Sequence, residues 1–171
     1  MSSLPYGDPT KAEHIMGPLI SASAKARKLA TSRPASPKGP PPCSVEAPEH
    51  LPKWYYVEPT VLVDVDPNAT VAQEEIFGPV LVVLPHDGDD DAVAVANNSA
   101  YGLSGAVFAG TIEHAKAVAS RIRTGTLSLN NGLWYGPDVP FGGYKQSGLG
   151  REMGRAGFEE YLETKSLAEP A

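Results

Sequence analysis

Cysteine is nearly absent from this 171-residue chain. Cys43 stands alone, so no internal disulfide can close and no thiolate cluster can gather a metal. The four histidines, His14, His50, His86 and His114, show none of the spacings of a zinc site, and no metal is expected. Positive charge is also short. Lys and Arg total 14 against 20 Asp and Glu, a net charge of -6 that lacks the basic footprint of a nucleic-acid binder. No run of about 18 apolar residues is present to cross a bilayer. The opening Met1-Ser2-Ser3-Leu4-Pro5 has neither the basic nor the apolar region of a secretory leader. The expectation is a cytoplasmic protein with no membrane or nucleic-acid partner, and the sequence shows no internal repeat.

Proline and glycine, by contrast, number 17 each and are unevenly placed. Residues 32–53 hold a dense proline cluster with neither helical nor strand period, which predicts an irregular segment. It separates residues 1–31, where Met16 to Leu29 permit a short basic helix after Gly17-Pro18, from the main body at 54–161. There, β-branched Thr60 to Val63 predict a strand. The continuous apolar run Val80 to Leu84 predicts a second, covered on both faces. Acidic Asp87 to Asp91 precede a helix reaching towards Tyr101, and Leu103 to Ala109 form a third strand. Thr111 is placed to cap a helix whose apolar face is Ile112, Ala115, Val118, Ala119 and Ile122, and Thr126 to Leu129 complete the alternation.

Strands alternating with helices over short connections imply an α/β fold, a parallel sheet with flanking helices. Pro137 to Gly150 form a glycine-rich loop, Arg151 to Tyr161 a helix, and residues 162–171 a short strand and tail. An exposed terminal strand of this kind invites pairing with another chain.

Two groups of residues could carry chemistry. The glycines from Gly142 to Gly154 invite comparison with a phosphate cradle, but their spacing is wrong. They do not directly follow a strand, and no acidic residue stands about twenty positions on to take a ribose hydroxyl. A tightly turned loop is the better reading. Glu74-Glu75-Ile76-Phe77-Gly78-Pro79 sets two carboxylates and an aromatic ahead of an apolar strand. It is either a solvated acidic turn or a carboxylate that accepts hydrogen bonds from a sugar diol beside a flat ring. Cys43, after three prolines and with no base nearby, is a poor nucleophile.

Several ordered motifs then coincide. Met16-Gly17-Pro18-Leu19-Ile20, Val57-Glu58-Pro59-Thr60, the segment from Glu74 to Val80, Asn98 with Tyr101-Gly102-Leu103-Ser104-Gly105, Gly125-Thr126, Asn130, and Pro140 to Gly148 resemble the C-terminal third of NAD(P)-dependent aldehyde dehydrogenases. The likeness runs from about Gly7 to Lys165 outside the proline-rich window. It implies oxidation of an aldehyde to a carboxylic acid. In that family a cysteine thiolate attacks the aldehyde, hydride passes to the nicotinamide, and water activated by a glutamate releases the acid. The cofactor is NAD or NADP. The resemblance assigns Glu75 to the nicotinamide ribose and Phe77 to the neighbourhood of the nicotinamide ring. It places Tyr135 and Phe141, with Trp134 beside them, on the aldehyde tunnel, and the terminal segment at Thr164-Lys165-Ser166-Leu167 in a sheet shared between subunits.

The same resemblance puts the nucleophile, the general base and the oxyanion donor N-terminal to Gly7-Asp8-Pro9. No catalytic residue is therefore expected in this chain. It is expected to be inactive alone, to bind coenzyme weakly or not at all, and to form homo-oligomers or pair with full-length relatives. The alternative is a non-catalytic oligomerisation or regulatory module, or a decayed product. Residues 32–45 have the family's length without its composition, which suggests two compensating frameshifts.

Overall fold

In a computed structural model, residues 4–31, 54–133 and 135–170 are described, and the chain divides into two units, Met1–Pro85 and His86–Ala171. The proline-rich segment, its suspected frameshift, Cys43 and Trp134 lie outside the described residues.

The first unit is organised by two short parallel strands, β1 (Thr60–Leu62) and β2 (Val80–Val82), with Thr60 opposite Val80. The basic helix α1 (Ala22–Thr31) begins later than Gly17-Pro18 alone suggests, because Ser21 caps it: its hydroxyl accepts from the Ala24 N–H at 3.1 Å. Between the strands sits α2 (Thr70–Gln73), a single turn the sequence did not announce. Four residues give no period to read, and its entry is set by Asp66, whose carboxylate accepts from the Asn68 N–H at 2.8 Å. Tyr56, Val57 and Leu62 are buried in this unit. One expectation is corrected. Leu81 and Val83 are 53% and 45% exposed, so the apolar run from Val80 is not covered on both faces by the described residues. Burial of a second sheet face needs a covering element, and apolar letters alone do not supply one.

The second unit carries α3 (Gly88–Asn97), β3 (Ser104–Val107), α4 (Ile112–Ala119) and β4 (Thr126–Leu129). Asp89, Asp90 and Asp91 occupy the first turn of α3, where the helix dipole favours negative charge. The α4 cap is as expected: the Thr111 hydroxyl accepts from the His114 N–H at 3.1 Å. β3 and β4 are parallel, as the α4 crossover requires, with Ser104 opposite Thr126. The parallel pairing thus appears as two two-stranded ladders, one in each unit. Ala115 on α4 is fully buried, with Val93 and Val107 close behind.

Helix α5 (Gly154–Glu159) is shorter than the predicted span from Arg151. Glu152 is instead held in an antiparallel bridge with Phe141, and Met153 turns the chain at φ 59°. Residues 163–167, read as a terminal strand, form no ladder among the described residues. A strand is completed by the edge it pairs with, and 163–167 pairs with no edge among the described residues.

Candidate functional site

In the first unit, α2 ends at Gln73 and Glu74 closes it through its N–H to the Thr70 carbonyl at 2.9 Å. The chain then leaves in extended backbone, which sets Glu75 out in solvent. Glu75 enters no ion pair among the described residues. Two positions on, Phe77 adopts φ 54° and leaves its ring 75% exposed, before Gly78-Pro79 delivers the chain into β2. A large aromatic in the left-handed region is strained backbone, and an exposed ring there wins no compensating burial. A carboxylate not engaged by a cation can accept hydrogen bonds from a diol, and an exposed aromatic two positions on can offer a flat apolar face.

The second unit gathers the other pair. Asn130 and Asn131 both take positive φ, turning the chain sharply out of β4. The Asn130 amide holds that turn against β3: it donates to the Ala109 carbonyl at 3.0 Å and accepts from the Ala109 N–H at 2.8 Å. The segment that follows brings Tyr135 edge-on to Phe141, with ring centroids 6.3 Å apart and planes at 74°. Phe141 is fixed by reciprocal backbone bonds with Glu152, at 2.8 and 2.7 Å.

The glycine-rich loop is a packed turn, as its spacing suggested, and its glycines serve close backbone approach. A Cβ on Gly142 would stand 2.6 Å from the Gly150 carbonyl oxygen. Arg151 donates to the carbonyls of Gly143 (3.1 Å) and Gly150 (2.6 Å) and lies over the Tyr144 ring. Lys145 donates to the carbonyls of Asn97 and Ser99. Sequence reasoning passed over both of these cations. The available signal was that each is a cation set among closely spaced glycines.

Glu75 with Phe77 and Tyr135 with Phe141 therefore form two pairs, one in each unit. The Aldehyde dehydrogenase family model matches residues 1–167. The chain belongs to the aldehyde dehydrogenase family. A relative from Staphylococcus aureus (strain USA300), which its name assigns to the aldehyde dehydrogenases, is 50% identical over 121 residues, 71% of this chain and 25% of its own length. The solved betaine aldehyde dehydrogenase of Staphylococcus aureus, in complex with NAD+, superimposes with a TM-score of 0.88 at 36% identity, covering 96% of this chain and 33% of that one. A Pseudomonas syringae aldehyde dehydrogenase in complex with NAD+ and octanal gives 0.85 at 40%, covering 96% and 34%. The chain thus spans a quarter of the length of that curated relative and about a third of these structures.

Proposed function

We propose that this chain contributes the ribose-holding and aldehyde-facing residues of an NAD(P)-dependent aldehyde oxidation. The carrying observation is Glu75, an exposed carboxylate without an ion-pair partner among the described residues, two positions from the strained, exposed ring of Phe77. Glu75 accepts hydrogen bonds from the ribose hydroxyls, and Phe77 presents an apolar face to the ring. The nicotinamide coenzyme, when bound, supplies the hydride acceptor. Tyr135 and Phe141 wall the aldehyde's approach with apolar surface, which discourages water from competing for the reacting carbon.

The chain alone is expected not to turn over aldehyde, because the family resemblance places the thiolate and the oxyanion donor on which the covalent route depends N-terminal to Gly7-Asp8-Pro9. Following coenzyme absorbance with a purified sample and a panel of aldehydes tests this; turnover by the isolated chain overturns it. The same assay, repeated with the product of any upstream reading frame that carries the nucleophile, is expected to show activity. Glu75→Gln should then raise the coenzyme KM roughly ten- to a hundredfold, the worth of charge-assisted hydrogen bonds. An unchanged KM removes Glu75 from the coenzyme site.

A second reading, assembly with other copies or with full-length relatives, is favoured by one observation. Residues 162–170 are exposed throughout and carry no ladder, with Leu162 and Leu167 among them.

A further inference from the structure

The geometry points to Lys145 as a positioning residue for the aromatic wall, an assignment that rests on the proposed role of Tyr135 and Phe141. Lys145 sits in the left-handed region at φ 55°, where glycine meets no steric resistance and a residue with a Cβ does. Its neighbours in the loop include Gly142, Gly143 and Gly148. A glycine would be the easier choice for the backbone, so the lysine side chain has to be doing something that offsets the strain.

What it does is specific. Its ammonium donates to the carbonyl oxygens of Asn97 and Ser99, both at 3.0 Å. Asn97 is the last residue of α3 and Ser99 follows two positions later. The cation therefore lies at the negative end of the helix dipole and adds a charged donor to the Asn97 carbonyl, which also accepts from the Ser99 N–H at 2.9 Å.

Three further bonds join the same two segments. The Tyr144 N–H donates to the Gly102 carbonyl at 2.7 Å, the Gln146 N–H to the Ala100 carbonyl at 3.0 Å, and the Gly102 N–H to the Ser147 hydroxyl at 3.0 Å. On the other side of the loop, Phe141 is closed against Glu152, and Arg151 grips the Gly143 carbonyl. Phe141 thus stands between two anchorages, and Lys145 supplies the charged part of the one that reaches α3. Without the ammonium that anchorage loosens, and the Phe141 ring, its backbone still bridged to Glu152, shifts against Tyr135, while β3, β4 and α4 keep their places.

Three variants of the full chain separate backbone from charge. Lys145→Gly relieves the backbone and deletes the ammonium. Lys145→Met deletes the ammonium alone, and Lys145→Arg keeps the charge and its donors. Hydrogen exchange at the amides of Gly102, Tyr144 and Gln146 reads the loop. The amides of Thr126 and Asn130, which bond Leu103 and Val107, read the scaffold. Fluorine NMR of fluorotyrosine-labelled protein, with the Tyr135 signal assigned through Tyr135→Phe, reads the wall.

The expected result is loop exchange faster by about tenfold or more in the Gly and Met variants, with scaffold amides within about twofold of the parent. The Tyr135 signal should shift or broaden in both, and Lys145→Arg should stay near the parent. Loop exchange in Lys145→Gly as slow as in the parent overturns the assignment. So does an unmoved Tyr135 signal, or an Arg variant that behaves like Met. No coenzyme or aldehyde enters these measurements, so their failure is separate from failure of the proposed function, which turnover and coenzyme KM decide.

Discussion

A methyl group built on Gly125 would overlap the carbonyl oxygen of Gly142. The entry to β4 and the glycine-rich loop therefore meet backbone to backbone, and no flexible side chain is available to yield. Gly125→Ala is expected to cost about 3 kcal/mol, the upper range for overpacking a tight site. Gly110→Ala, at a position where a Cβ meets nothing within 4 Å, is expected to stay within about 0.5 kcal/mol. Denaturant midpoints of the two variants check this. Equal midpoints would mean that the loop does not rest on β4.

Phe77 gives the opposite case, a bulky residue where glycine would sit more easily. Left-handed backbone costs a non-glycine residue about 1–2 kcal/mol. The ring is 75% exposed, so truncating it forfeits little burial. Glycine's extra freedom in the unfolded chain takes back about 0.5–1 kcal/mol. Phe77→Gly is therefore expected to leave stability unchanged or up to about 1 kcal/mol higher, while weakening the coenzyme grip wherever turnover can be measured. A clearly lower unfolding midpoint would make the ring a packing element.

These two positions show what could be read from the letters and what could not. The parallel α/β character and the α4 helix with its Thr111 cap were legible, because a repeating apolar face and a capping hydroxyl are local signals. Glu75, Phe77, Tyr135 and Phe141 were located through the family likeness, and the edge-on ring pair is a finding of the structure. The turn α2, the left-handed backbone at Phe77 and the reach of Lys145 to the end of α3 were not legible. Each depends on where a distant or irregular backbone segment passes, and periodicity carries no information about that. The exposed faces of Leu81 and Val83 show the converse error, in which apolar composition stood in for a covering element.

Acid should loosen the turn at Asp8. The Thr10 N–H and then the Thr10 hydroxyl, at 3.0 and 2.8 Å, hold the Asp8 carboxyl below its ordinary value of 3.8. A carboxyl whose pKa is lowered by folding contributes fully above its unfolded value and loses that contribution as pH falls through the folded one. The turn is thus held at neutral pH and released in the range beneath about 3.8. An NMR titration of the Asp8 carboxyl should give a midpoint under the ordinary value. Thr10→Val should move it only part of the way back, because the amide bond, the larger cause, survives. A parent midpoint at or above the ordinary value contradicts the turn as drawn.

The terminal segment offers the clearest test of assembly. Residues 162–170 are exposed from end to end, and Leu167 keeps 83% of its surface in solvent. Pairing with the sheet edge of a second chain would give these backbone groups a ladder and would bury Leu162 and Leu167 together. Sedimentation of the parent chain is expected to show species heavier than a monomer, and deleting residues 163–171 should shift the distribution towards monomer. Ser166→Pro, which removes one backbone donor without shortening the chain, should act in the same direction and more weakly. If the deleted form associates as the parent does, the exposed apolar residues elsewhere, such as Leu149 and Phe158, hold the copies together and the tail does not.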